Sequence, residues 1–352
     1  MPLAAKVPRP GCIELEEVPQ RRPQAGEVSL RVSHCGVCGS DLHFFHGRLP
    51  PPAVCPGHEI SAVVEAVGGG AGSVREGDHV AVEPLARCGR CACCRRGDYH
   101  LCEHLAIFGI HAAGGMAEQM VVPAYCLYPL PASVDLELGA LTEPLAVAVH
   151  AARLAGVGPD TSVLILGAGT IGLLSVAACK HLQARFVTIT ARYPQQRGHA
   201  AALGADQVLE PEQVAQCEAT PEVVIETVGG GADTVADGVA VVARGGRVVV
   251  TGLFDQAPGF NPLLLILKEV TITGSNVYNL RGGRHDFDIA LEILSEQGAL
   301  IAPLITHRFS LNDTQPAFET AADKASGAVK VLIVPGAGGS VPPDRPASAG
   351  VR

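Results

Sequence analysis

The chain has 352 residues, 47% of them apolar and 17% charged, with a formal net charge of −9 and a pI near 5.8. That length predicts two domains with ample cores, the composition excludes a disordered chain, and the acidic balance excludes a basic nucleic-acid-binding surface. No apolar run approaches the roughly 18 residues of a membrane span; the closest, Leu263 to Leu267, is far too short. The Met-Pro-Leu-Ala start lacks the apolar core of an export signal. The expectation is therefore a cytoplasmic protein whose 12 cysteines are reduced thiols available to metal.

The first 145 residues read as short β-segments between Gly and Pro turns. Examples are Glu27 to Val32, Glu59 to Val67 and His79 to Glu83, broken by Pro50-Pro51-Pro52 and Gly68-Gly69-Gly70. Nine of the 12 cysteines fall before residue 103, and six of them form two constellations. The first is dispersed: Cys35-Gly-Val-Cys38-Gly-Ser40-Asp41-Leu-His43, then Gly57-His58-Glu59. Thiolate, imidazole and carboxylate together suit zinc, and fewer than four protein ligands would leave room for water or substrate. The second is compact: Cys88-x2-Cys91-x2-Cys94-x7-Cys102. Four thiolates at that spacing close a tetrahedral structural zinc site and staple a loop too polar to bury itself. The even spacing favours this set and leaves Cys93 outside it. His46, His79, His100 and His111 have no motif around them and read as surface or loop residues.

From about residue 145 the period changes. Apolar strands at Ser162–Leu166, Phe186–Thr190, Gln207–Leu209, Val223–Thr227, Arg247–Thr251 and Val270–Thr273 alternate with helix-length segments such as Leu173 to Leu182. Six strands with helical crossovers describe a doubly wound parallel sheet. Gly167-Ala-Gly169-Thr170-Ile171-Gly172 follows the first of these strands and opens a helix, the context of a dinucleotide-binding loop with phosphates on the helix N-terminus. The second strand should end on a carboxylate that bonds the ribose 2′-hydroxyl. It ends instead on Ala191-Arg192, which removes repulsion against a 2′-phosphate and supplies a guanidinium for it. NADP(H) is thus expected over NAD(H), with Arg197, Thr227 and Thr251 joining the cofactor site. Beyond residue 289 a helix (Ile289 to Leu294), an extended segment (Pro303 to Phe309) and a last strand (Val329 to Val334) are expected, then a disordered Gly/Pro/Ser/Ala tail over 335–352.

Taken in order, the Cys38 and His58 motifs, the four-Cys lobe, Thr142-Glu143-Pro144-Leu145 and the glycine loop resemble the zinc-dependent medium-chain alcohol dehydrogenases. Glu143 to His150 and Pro303 to Arg308 look most like the polyol branch: sorbitol, 2,3-butanediol, threonine and idonate dehydrogenases. The resemblance implies an α/β protein with a GroES-like β-barrel catalytic domain (1–145, with the zinc lobe at 85–104), a Rossmann domain (146–288) and a C-terminal return to the catalytic domain (289–334). It implies Cys38 and His58 as catalytic-zinc ligands, with Glu59 or Glu143 as the carboxylate. Ser40 matches the hydroxyl that bonds the reacting alcohol, His43 an onward proton relay, and Asp41 a partner orienting a ligand. Cys35 is a structural thiol. Two zinc ions per chain, a small alcohol or ketone substrate, and a homodimer or homotetramer built through the sheet edge are implied with it. Asn276, Tyr278 and Arg281 could equally read substrate or form a domain-interface loop. Two other readings stay open: a zinc-independent quinone or enoyl reductase on the same fold, and a non-catalytic nucleotide-binding protein.

Overall fold

The Glu27–Gly36 strand is the spine of the N-terminal unit in the computed structural model, which describes residues 1–336. Val28, Leu30 and Val32 alternate inward along it and are fully buried, the period-two pattern of a strand with one core face. One edge pairs antiparallel with Glu59–Val67, followed outward by His79–Val82 and Leu127–Pro129. The other edge is shared. Gln119–Pro123 pairs along Glu27 to Arg31, and the C-terminal strand Lys330–Val334 pairs at Cys35 and Gly36, with Ile305–Ser310 parallel beyond it. The chain therefore returns to its first domain to supply two of that sheet's strands.

The second unit is a six-stranded parallel sheet. Its spatial order is Gln207–Leu209, Phe186–Thr190, Ser162–Leu166, Val223–Glu226, Arg247–Val250, Thr271–Gly274. The order reverses after the third sequential strand, between the first, Ser162–Leu166, and the fourth, Val223–Glu226, and so opens a crevice at their C-terminal ends. Helices cover both faces. Thr142–Ala155 packs on Thr170–His181 and on Asp286–Ile301, while Thr234–Val241 lies on the opposite face.

The expected strands agree with these to within a residue at either end, apart from Glu27–Gly36, which runs four residues further, and the segment expected from Pro303, whose strand begins at Ile305. Three features differ from expectation. An N-terminal hairpin, Leu3–Arg9 with Cys12–Glu17, precedes everything anticipated. The helix expected at Ile289 to Leu294 runs from Asp286 to Ile301, because Asp286 anchors its first turn, accepting from His150 Nδ1 at 2.8 Å and the Asn279 N–H at 2.8 Å. His100 is not a surface residue: it is buried, edge-on to His150 with ring centroids 5.3 Å apart. Residues 337–352, most of the expected tail, lie outside the described residues.

Candidate active site and cofactor crevice

Cys38 sits at the N-cap of the short helix Gly39–Phe45, and its backbone N–H donates to Asp41 Oδ2 at 2.9 Å. This contact closes the first helical turn and fixes Cys38, Ser40 and His43 along it. His58 immediately precedes the Glu59–Val67 strand and is buried. Its Nε2 lies 3.4 Å from Ser40 Oγ, and its Nδ1 lies 3.9 Å from Asp41 Oδ1. Burial disfavours a charged imidazole here, but Asp41, Cys38 and Glu143 outweigh it and hold His58 above its ordinary value. Glu143 enters from the first turn of the Thr142–Ala155 helix, and burial pushes its carboxyl up to about 7. Asp41 Oδ1 and His58 Nδ1 are buried without a hydrogen-bond partner among the described residues.

Glu59 is engaged differently. Lys330, 2% exposed, donates from Nζ to both Glu59 carboxylate oxygens at 2.6 Å and to the Val37 carbonyl at 3.0 Å. The Glu59 side chain lies directly over Gly36, where a Cβ would fall 1.9 Å from Oε2; no side chain fits there. Glu143, by contrast, makes no ion pair among the described residues. A thiol, an imidazole and a buried carboxyl with no ion-pair partner of its own are a donor set that fits zinc.

The four-Cys lobe is closed at its base by the paired strands Leu85–Ala86 and Ala106–Ile107. The Cys88, Cys91, Cys94 and Cys102 sulfurs all lie within 4.8 Å of one another. Two of the separations, 3.5 Å for Cys88–Cys102 and 4.0 Å for Cys88–Cys94, bracket the ~3.8 Å edge of a tetrahedron with 2.3 Å zinc–sulfur bonds. Backbone N–H groups of Cys88, Cys91, Cys94 and His104 point at the sulfurs, each at 3.4 Å. The Cys94 N–H leads in bringing the Cys91 thiol down to about 6. Cys93 stands apart and accepts from Arg96 Nη2 at 3.7 Å.

The glycine loop has the expected geometry. Gly167 takes φ = 98°, a left-handed turn that L side chains rarely adopt, and its N–H donates to Thr190 Oγ1 at 2.9 Å. A Cβ on Gly172 would meet the Gly167 carbonyl at 1.9 Å, whereas Gly169, at the N-cap of Thr170–His181, faces open space. That gap lets a phosphate approach the helix N-terminus, over Ile171 and its neighbours. Thr227 Oγ1 donates to the Leu166 carbonyl at 2.8 Å and so braces the loop from below. Thr170 Oγ1 is committed to the Val329 carbonyl at 2.7 Å, a link between the two units. The Thr251 and Ser275 hydroxyls are buried without partners among the described residues, as fits the wall of a cofactor site. Ala191 is buried beside the crevice, and Arg192 is exposed with no ion pair among the described residues. Arg197 pairs with Glu210 at 3.2 Å.

Sequence reasoning missed three residues here. Lys330 and Asp255 meet their partners only through the fold. Glu226 ends the Val223–Glu226 strand and accepts from the Val228 and Gly229 N–H groups at 2.7 and 2.9 Å, shaping the crevice floor; a carboxylate ending an otherwise apolar strand was the available signal. Of the three ambiguous residues, Tyr278 is fully buried against Phe287, with ring centroids 4.9 Å apart, while Asn276 and Arg281 are exposed.

Comparison with known proteins accords with this geometry. Residues 24–132 match the alcohol dehydrogenase GroES-like domain, and residues 170–296 match the zinc-binding dehydrogenase family. The chain is 34% identical to an L-idonate 5-dehydrogenase of Vitis vinifera over 87% of each chain. It is 35% identical to an L-threonine 3-dehydrogenase of Pyrococcus horikoshii, covering 91% of this chain and 95% of that one. Among solved structures, a putative zinc-binding dehydrogenase of Sinorhizobium meliloti bound to NADP superposes with a TM-score of 0.85 at 30% identity, covering 95% of this chain and all of the other. This chain belongs to the zinc-dependent medium-chain alcohol dehydrogenases, in their polyol branch, and is an oxidoreductase that interconverts an alcohol and its ketone with a nicotinamide cofactor.

Proposed function

We propose that the substrate is a secondary alcohol within a polyol or sugar acid, that NADP(H) is the preferred cofactor, and that each chain holds two zinc ions. Cys38, His58 and Glu143 are the protein ligands of the catalytic ion, and Cys88, Cys91, Cys94 and Cys102 those of the structural one. The observation that carries the catalytic assignment is the division of labour between the two carboxylates. Lys330 hydrogen-bonds both Glu59 oxygens, while Glu143, buried and within the electrostatic reach of His58 and Lys330, makes no ion pair among the described residues. Glu59 therefore balances Lys330, and Glu143 is the carboxylate free for the metal.

Zinc bound there supplies a Lewis acid that lowers the pKa of a hydroxyl presented to it. The chain's own residues do the rest. Ser40 Oγ, beside His58, takes the hydroxyl proton and hands it outward to His43, one turn along the same helix. The glycine loop and helix N-terminus hold the cofactor pyrophosphate, and Arg192 pairs with the 2′-phosphate that Ala191 leaves room for. The NADP-bound relative supports that cofactor. We take 1–145 and 289–334 as the catalytic unit and 146–288 as the cofactor unit.

Two further features support an assembly and a compartment. Thr271–Gly274 is the edge strand of the parallel sheet, and the adjoining helix Pro262–Lys268 exposes Leu263, Ile266 and Leu267. An open edge beside an apolar patch supports a homodimer joined there. All 12 cysteines are free thiols, which supports a reducing compartment such as the cytoplasm; among the described residues no helix is long and apolar enough to cross a membrane.

Elemental analysis of zinc tests the reading. Wild type is expected to carry two ions per chain and Cys38→Ser one, with folding intact and turnover lost. One ion in both proteins would overturn the catalytic assignment.

A further inference from the structure

Asp255 belongs to the cofactor unit, in the loop after the Arg247–Val250 strand, yet its carboxylate meets the catalytic unit on the far side of the crevice. Oδ2 accepts from Arg48 Nη1 at 2.8 Å, and Oδ1 lies 3.5 Å from His43 Nδ1. Both partners are arranged for it locally. The His43 carbonyl accepts the Arg48 and Leu49 N–H groups at 2.9 and 3.2 Å, which folds Arg48 back alongside His43 at the end of the Gly39–Phe45 helix. Asp255 is equally fixed. Its N–H donates to the Gly230 carbonyl at 3.1 Å, and the Gly230 N–H donates to Leu253 at 2.7 Å, next to the loop that Glu226 holds. The groups lie on a gradient of exposure. His58 is buried, the His43 side chain is 17% exposed, that of Asp255 31% and that of Arg48 52%.

We propose that Asp255 is a positioning residue for proton exit: its carboxylate, delivered from the cofactor unit, orients the His43 imidazole toward Ser40, so that the exit is completed only where the two units meet. The inference rests on the Ser40–His43 relay proposed above. A carboxylate at Nδ1 keeps the proton on that nitrogen and leaves Nε2 as the acceptor. In alcohol oxidation the substrate O–H bond breaks as a new Ser40 O–H bond forms. The original Ser40 proton passes to His43 Nε2, and the imidazolium returns one proton to bulk water at its exposed edge. No electrons move in these steps. Arg48 neutralises the other carboxylate oxygen and ties the loop down.

The rival role for Asp255 is that of a strap between the units, and the two roles separate experimentally. The variants are His43→Asn, Asp255→Asn, Asp255→Glu, Arg48→Met and the His43→Asn/Asp255→Asn double. Turnover is read with whichever of L-idonate, L-threonine, D-sorbitol or 2,3-butanediol the wild type oxidises fastest. NADPH affinity is read by nucleotide fluorescence, and the His43 tautomer by 15N NMR. Asp255→Asn is expected to lower kcat about tenfold with little change in KM, to shift His43 away from the Nδ1–H tautomer, and to leave NADPH affinity unchanged. Asp255→Glu restores part of kcat, and Arg48→Met changes it less than about twofold. Asp255→Asn adds nothing in the His43→Asn background, because it acts through that residue. Equal losses in Arg48→Met and Asp255→Asn, additive losses in the double variant, or an unmoved tautomer would overturn the inference and leave the strap. Full turnover in His43→Asn would overturn the relay itself, a distinct result.

Discussion

Lys330 Nζ lies 2.6 Å from each carboxylate oxygen of Glu59, joining the last strand of the sheet to the residue after His58 across 271 positions of sequence. Both side chains are excluded from water, so neither charge can fall back on solvent. Lys330→Met is expected to destabilise the protein by about 3–5 kcal/mol, because it strands a buried carboxylate. Lys330→Met/Glu59→Gln should recover much of that loss. Denaturant unfolding measures both; a single variant as stable as wild type would mean that Glu59 tolerates solitude.

The proposed preference for NADP(H) assigns the choice of cofactor to Arg192. Arg192→Ala is expected to lower kcat/KM for NADP at least about tenfold, the value of one charged hydrogen bond, and to leave NAD within about twofold. Steady-state kinetics with the two cofactors decide the matter. Equal losses for both would assign Arg192 to general electrostatics.

In the lobe, the positions of the thiols predict opposite outcomes for adjacent residues. Cys94→Ser should lose one zinc per chain and lower Tm, since the ion closes a loop with little core of its own. Cys93→Ser should keep both ions and the wild-type Tm. Zinc analysis with a thermal melt compares them directly, and zinc loss from Cys93→Ser would move the fourth ligand.

A pH effect follows from Glu83, which is fully buried while accepting from the Tyr99 hydroxyl and from Arg87 Nη1 at 3.4 Å. Burial pushes its carboxyl up to about 7. The folded state therefore holds a proton that the unfolded chain releases near 4.5, and stability falls as pH rises between those values. Glu83→Gln removes this slope. Relative to wild type it should gain stability from pH 5 to pH 8 in paired denaturant titrations, and a constant difference would show that Arg87 keeps Glu83 ionised.

The parallel sheet was legible in the sequence because strands buried on both faces carry apolar runs, those within Ser162–Leu166 and Val223–Glu226 among them. The N-terminal hairpin was not, because Cys12–Glu17 interleaves Glu14, Glu16 and Glu17 with its apolar residues and resembles a surface loop. The clustering of the Cys88, Cys91, Cys94 and Cys102 sulfurs was legible because all four thiols are local in sequence. At the dispersed site, Cys38, Ser40 and His58 could be named from motif context. The partners that distinguish Glu59 from Glu143 could not, because Lys330 carries no motif and reaches Glu59 only through strand pairing. Asp255 was invisible for the same reason: 212 positions separate it from His43.

The place of Lys330–Val334 in the first sheet has a consequence for synthesis. That strand completes the edge of Glu27–Gly36 at Cys35 and Gly36, three and two residues from Cys38, and brings Lys330 to Glu59. A nascent chain leaving the ribosome has every strand of the parallel sheet by residue 274, but it lacks the neighbour and the counter-charge of its own first domain until Lys330–Val334 emerges. The cofactor unit can thus mature during translation while the catalytic half waits, its thiols and buried carboxyls still uncovered, for the segment around Lys330.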